Sequence, residues 1–284
     1  MARRRFYDQM PSAAAIWSRR LAVFALIVAA LSVVVIRSEL LEIGASLATF
    51  AAALGFAGLA ILLGIVALIG IWRHGLSGLG SALLGIVLAA ALLPYPAYLG
   101  YRAYRNPAVP DVTTDLADPP RYDVIARLRA RGSNDYPAAQ AAKQRAAYPE
   151  LATLQLAASP QVAYEAALDV VTKRKWRVVD ARAPLPGRRD GIIEAVARSP
   201  VMGFRDDVVI RVRGAGNGAR IDVRSAARHP FLDMGGENAA RVRALLEDVD
   251  DAVGTVLDRL EKEAERNAEK AAQQPAKPPQ RTRR

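Results

Sequence analysis

What most constrains this chain is how unevenly charge is spread along it. Three stretches, Leu21–Ile36, Ile43–Trp72 and Gly75–Tyr101, contain no Asp, Glu, Lys or Arg. They are 16, 30 and 27 residues long. Runs of this kind read as transmembrane helices, since about 20 residues rising 1.5 Å each span a hydrocarbon core of roughly 30 Å. The first run reaches only about 24 Å. Trp17, Arg19 and Arg20 complete it by interfacial anchoring and snorkelling. Only Arg73 and His74 separate the second run from the third, as in a tight helical hairpin. We expect helices over about 17–37, 45–72 and 76–100, the last kinked near Pro94 and Pro96. No small-x-small cleavage site follows Ile36, so the first run is expected to be an anchor and not a cleaved signal.

Beyond residue 104 the composition inverts. Of the 39 Lys+Arg and 28 Asp+Glu in the chain, 31 and 25 lie there, so a charge-dense soluble domain follows a membrane segment. Cysteine is absent, which rules out disulfides, thiolate metal sites and cysteine nucleophiles. With His74 and His229 the only histidines, a multi-His metal site or a Ser-His-Asp triad is a poor reading. Glycine-rich phosphate loops, a Gly-x-Ser-x-Gly elbow and His-Glu-x-x-His are also absent. We therefore expect no cofactor, no metal and no enzymatic activity.

Topology follows from the basic residues flanking the spans. Five arginines (3, 4, 5, 19, 20) precede or open the first helix, whereas Arg37 is accompanied by Glu39 and Glu42 in the next loop. Positive-inside counting puts the N-terminus in the cytoplasm and, after three crossings, residue 105 onward outside a bacterial inner membrane. Tyr95, Tyr98, Tyr101 and Tyr104 then form an outer aromatic belt. Small residues at Ala51, Gly55, Gly58, Gly64, Gly70, Ser77, Ser81 and Gly85 are expected to pack the three helices together, with dimerisation as the alternative.

In the remainder, 105–150 is Pro-rich and reads as a linker with one short helix near 123–131, part of it packing on the domain. From 151 to 272 the pattern is β-α-β-β-β-β-α. A short strand lies at 153–157, and Ser159-Pro160 opens a helix running through Lys173. Strands follow at 176–181, 191–198, 207–213 and 220–228, with a Gly-Ala-Gly-Asn-Gly hairpin at 214–218. A helix from about Asn238 to Ala272 carries Val242, Leu246, Val249, Val253, Val256 and Leu260 on one face. The expected class is α+β: an antiparallel sheet with both helices on one side, a two-layer, helix-grip-like domain. Residues 273–284 read as a disordered basic tail.

Five blocks carry a resemblance. They are Thr-Asp-Leu-Ala-Asp-Pro-Pro (114–120), Tyr-Pro-Glu-Leu (148–151), Gly-Phe-Arg-Asp-Asp-Val-Val-Ile-Arg-Val (203–212), Arg-Ile-Asp-Val-Arg-Ser-Ala-Ala-Arg (220–228) and Asp-Met-Gly-Gly-Glu-Asn-Ala-Ala-Arg-Val-Arg (233–243). In that order they resemble the bacterial domain-of-unknown-function family numbered 1499 over roughly 111–260. His229-Pro230-Phe231 departs from the Gly-rich turn the resemblance implies there. The resemblance carries no activity with it.

Strand alternation sends Glu194, Arg198, Arg211, Arg213, Asp222, Arg224 and Arg228 to the side away from the apolar residues. This basic face, with Asp206 and Asp207 at a strand entry, is the candidate site. As an open surface it would take an anionic envelope ligand through its guanidinium forks. Otherwise Arg211 pairs across the strands with Asp222, or the acidic stretch Asp111, Asp115, Asp118 and Asp123 lies over the face. Asp206 and Asp207 point to opposite faces and are expected to pair with Arg205 or Arg224. The acids of the last helix (Glu247, Asp248, Asp250, Asp251, Asp258) read as solvated charge. The functional expectation is an inner-membrane protein with a non-enzymatic binding or envelope-assembly domain. Its partners would be the lipid bilayer and an envelope protein, anionic lipid or cell-wall component. Nucleic acid is not among them. The alternatives are an enzyme using Asp206/Asp207 and the Arg face, or a structural membrane oligomer.

Overall fold

The computed structural model describes residues 10–129, 134–185, 190–233 and 235–273. Of the tail expected at 273–284, Gln273 still belongs to the last helix and the rest lies outside the described residues. The chain divides into two compact units. The first is residues 1–108 with two short loops, 198–205 and 234–236; the second is 109–197, 206–233 and 237–284.

The first unit is built on α1 (Ala13–Ser38), α2 (Ile43–His74), α3 (Leu79–Ala90) and α4 (Pro94–Arg105). Three segments, Ala13–Ser38, Ile43–His74 and Leu79–Arg105, are long and apolar enough to cross a membrane. The third is broken where expected. Pro94 has no N–H to give, and the residues before it close i→i−3 bonds instead, Leu92 N to Ala89 O (3.2 Å) and Leu93 N to Ala90 O (3.1 Å).

The packing inverts that of a water-soluble bundle. Its buried residues are mostly small, among them Ala22, Ala25, Ala57, Ala60, Ala67, Ala82 and Ala89. Phe24, Leu31, Leu62, Val66, Leu84 and Val87 face outward. Lipid solvates large apolar side chains at no cost, so helices gain most where small residues let backbones approach. At the tightest crossing a Cβ on Gly85 would stand 2.3 Å from Ser18 Oγ and 2.8 Å from Arg19 N. Ser18 Oγ donates to Ala60 O at 2.8 Å. Gly55 and Gly58 have nothing within 4 Å of that position, nor has Gly80, which the sequence reading did not nominate, so only some of the small residues nominated from sequence pack helix on helix.

The second unit contains β1 (Asp111–Thr113), α5 (Ala138–Ala147), β2 (Leu154–Leu156), α6 (Pro160–Lys173), β3 (Arg177–Arg182), β4 (Asp190–Arg198), β5 (Arg205–Ala215), β6 (Gly218–Ala227) and α7 (Glu237–Gln273). Ser159 caps α6, its Oγ accepting from Val162 N at 3.3 Å. The β5–β6 hairpin turns at Gly216-Asn217, with Gly216 at φ 56°, a conformation glycine adopts without a Cβ penalty. The sheet order is β1-β6-β5-β4-β3, with β2 also on β6. Two short strands thus share one edge, β1 opposite residues 224–226 and β2 opposite 219–221.

As expected, both helices cover the apolar face. Ala163, Ala167, Val170 and Val171 of α6 and Val242, Leu245, Val249 and Val253 of α7 pack with Ile193, Val208, Ile210, Val212, Ile221 and Val223. Leu260, expected on the same seam, is exposed. Leu245, which lies off the 4-3-4 spacing, is buried in its stead. The largest departure concerns 105–150. Instead of a linker with one short helix it holds β1, a 3₁₀ turn at Ile125–Leu128 and α5.

Candidate functional site

The second face of the sheet carries the candidate residues. The β5–β6 register sets Arg211 opposite Asp222, Arg213 opposite Arg220 and Val209 opposite Arg224. Cross-strand neighbours on one face stand close enough to interact. Unopposed, these cations would repel. The segment after β1 supplies the missing carboxylates by crossing the face, and its acids resolve the candidates into separate clusters.

In the first cluster Arg211, Arg213 and Arg220 converge on Asp115, Asp118 and Asp222. Arg211 reaches Asp118 Oδ2 and Asp222 Oδ2, both at 3.0 Å. Arg213 does the same, and Arg220 reaches Asp115 at 2.8 Å. The strap is shaped for this by Asp115, whose Oδ1 accepts from Ala117 N and Asp118 N at 3.1 and 2.9 Å. Burial works to raise the Asp222 carboxyl. Hydrogen bonds from Thr153 Oγ1 (2.6 Å), Arg211 and Arg220 outweigh it and hold the group below the usual Asp value.

In the second cluster Arg224 is wholly buried and binds Asp111 through two contacts, 2.9 and 2.7 Å. Its other amino group donates to Asn134 O and Pro120 O at 2.7 and 3.3 Å. The guanidinium lies 4.9 and 5.7 Å from the ring centres of Tyr122 and Tyr136. This arrangement suits a planar cation, which stacks as well as pairs. Burial pushes the Tyr136 phenol up to about 12 and that of Tyr122 well above its ordinary value.

A third cluster joins Asp207 to Arg129 (2.9 Å) and Arg228. Glu194, fully buried, accepts from the backbone N–H groups of Asp123 and Ile125 at 2.5 and 2.7 Å and so caps the 3₁₀ turn. Unpaired N–H groups at the start of such a turn favour a carboxylate.

Asp206 points to the opposite, helix-covered face, as alternation requires, and pairs with Arg241. Burial is the strongest influence on it. With Glu237 and Asp233 also near, it outweighs Arg241 and pushes the carboxyl up to about 6. The partners expected for the two aspartates, Arg205 and Arg224, are not the ones found. Arg205 pairs with Glu39 within the first unit, and Arg224 is committed to Asp111. The face that alternation alone would leave open is crossed by residues from 111–129 and 134–136. Of its nominated arginines, Arg211 and Arg213 meet, whereas Arg224 and Arg228 sit in other clusters.

Sequence reasoning passed over Arg129, Arg220 and Arg241, and the role of Tyr122 and Tyr136. Arg220 was in principle accessible, being two residues before Asp222 on the same face. Arg129 and the tyrosines lie in a stretch with no periodicity to orient them. Among the described residues no group of three or more His, Cys, Asp or Glu is arranged to hold a metal ion. Of the last helix's acids, Asp248 pairs with Arg174 at 2.6 Å.

Against known proteins, residues 111–249 match the family model described as "Protein of unknown function (DUF1499)". No curated protein matches the chain. Among solved structures, CalU16 from Micromonospora echinospora is 14% identical, with 39% of this chain and 79% of that chain covered and a TM-score of 0.25.

Proposed function

From the match of residues 111–249 to the DUF1499 family model, we propose that this is a bacterial inner-membrane protein with a non-enzymatic extracytoplasmic domain serving as a binding or envelope-assembly module. The observation carrying this reading is the mutual commitment of the candidate groups. General acid–base or nucleophilic chemistry needs a group within reach of substrate, yet each of these groups is buried in an ion pair: Asp222 with Arg211, Arg224 with Asp111 and Asp207 with Arg228. One observation favours the enzymatic alternative, the Asp206 carboxyl at about 6. Against that stand its pairing with Arg241 and its separation from Asp207 by the sheet.

An anionic ligand would engage the outer rim of the first cluster. There the Arg213 and Arg220 side chains retain partial exposure, 24% and 30%. Asp118, 65% exposed, is the displaceable carboxylate. Inorganic pyrophosphate titrated into the full chain in neutral-lipid nanodiscs should bind saturably. Binding should tighten in Asp118→Asn and vanish in Arg213→Gln/Arg220→Gln. No binding to wild type or Asp118→Asn would remove the anion from the proposal. Orientation rests on the arginine count. Alkaline phosphatase fused after Arg284 should be active and a fluorescent protein exported there dark; the opposite pattern would put the domain in the cytoplasm.

A further inference from the structure

We propose that residues 173–178, where α6 hands over to β3, form a docking patch for the surface of an anionic lipid bilayer. Four of the five residues Lys173-Arg174-Lys175-Trp176-Arg177 are cationic. Two of them have structural partners. Lys173 pairs with Asp169 one turn back at 2.7 Å, and Arg174 with Asp248 of α7 at 2.6 Å. Cations at a helix C-terminus also answer its dipole. Lys175 and Arg177 are exposed and make no ion pair among the described residues. The patch lies wholly within the second unit. It sits at the β3 edge of the sheet, the opposite edge from β6, and is separate from the arginine rim on β5 and β6.

Lys175 stands in a backbone conformation that a lysine does not favour. At the end of α6, Lys175 N donates to Thr172 O at 2.9 Å and Trp176 N to Val171 O at 3.2 Å. These are the paired bonds of a helix C-cap whose left-handed residue is usually glycine. Here it is Lys175, at φ 57°. A Cβ is strained in that region, and such strain points to a use for the side chain. The same cap pins Trp176, which packs half-buried against the core. The Arg174 guanidinium lies 5.5 Å from its ring centre. Val178, on the same side of the strand by alternation, is 37% exposed. A tryptophan and an exposed valine set among cations suit the headgroup layer, where rings rest at the interface and Lys and Arg meet phosphate. The chain also carries three segments long and apolar enough to cross a membrane, so a bilayer is at hand in any placement of the domain. Two uncommitted cations then suffice, since each adds about fivefold near an anionic surface.

The strain at Lys175 makes the test selective. The full chain, held in phosphatidylcholine nanodiscs, is mixed with phosphatidylcholine vesicles that either contain or lack phosphatidylglycerol, and co-flotation is measured. Wild type should bind the phosphatidylglycerol vesicles and release them as salt is raised. Lys175→Gly should weaken binding about fivefold, and Lys175→Gly/Arg177→Gln about 25-fold. The unfolding midpoint of Lys175→Gly should stay level or rise, because glycine relieves the cap. Arg213→Gln/Arg220→Gln should bind the vesicles as wild type does, which keeps this patch distinct from the arginine rim. Unaltered binding in Lys175→Gly/Arg177→Gln would overturn the proposal. So would a lowered midpoint in Lys175→Gly, which would make the lysine structural. Equal binding to vesicles without phosphatidylglycerol would also overturn it, as would tighter binding to soluble polyglutamate, the mark of an acidic protein partner.

Discussion

Arg224 shows how a buried charge is made tolerable, since it has a two-point carboxylate, two carbonyls and two aromatic rings around one guanidinium. Removing one partner of such a pair leaves the other buried and uncompensated, at a cost of about 3–5 kcal/mol. Arg224→Met should therefore lower the unfolding midpoint of the full chain strongly. Arg224→Met/Asp111→Leu should recover much of the loss, and a double variant no better than the single would contradict the account. Asp206 gives a pH prediction. Its carboxyl is held at about 6 against an ordinary 3.8, so the folded state binds that proton more tightly than the unfolded chain. The stability it contributes is complete below pH 3.8 and is lost as pH rises to about 6. The carboxyl carbon shift of Asp206 should titrate near 6, and Asp206→Asn should flatten the stability slope in that window. Alternation alone gave the Arg211–Asp222 pairing, because both residues lie in neighbouring strands of known register. It could not give Arg224–Asp111, where the partners are 113 positions apart and Asp111 lies in a three-residue strand.

At the scale of elements, what the sequence disclosed depended on length and period. The charge-free spans and the long alternating strands β5 and β6 were legible, as was α6 with its Ser159 cap. β1 was not, for three residues define no alternation. α5 was missed because its Ala-Ala-Gln-Ala-Ala-Lys-Gln-Arg-Ala-Ala sequence has no apolar stripe. It is tied in instead by Gln144, buried, whose amide exchanges hydrogen bonds of 3.0 and 2.6 Å with the backbone of Thr113. Small-residue spacing in the spans was visible, but which glycines touch a neighbour was not, since that depends on helix rotation. The contrast is testable. Gly85→Val should open the α1–α3 crossing and lower the aggregation temperature in detergent by several degrees or more, while Gly80→Val should leave it within about a degree. Overpacking of about 1–3 kcal/mol accounts for the first, and open space for the second.

For the whole molecule, the sheet's two covered faces grade its stability. Nearly every residue of β5 from Asp206 to Val212 is buried, whereas β3 is half exposed at the sheet's edge. Amide exchange followed by mass spectrometry should be slowest in β5 and β6 and fastest, among the long strands, in β3; the reverse gradient would mean that the strap over the charged face opens readily. The shared edge of β6 has a further consequence, which concerns synthesis. Asp111 must find Ala226 and Leu154 must find Ile221, so neither early strand has a partner until the ribosome has delivered almost the whole domain. For β1 the wait lasts more than 100 residues, with the acids that follow it separated from the β5 and β6 arginines that will neutralise them. Non-local pairing of this kind is slow to form. The sheet therefore cannot be completed until the end of synthesis, with β6 the last strand to arrive and the one on which both early strands settle.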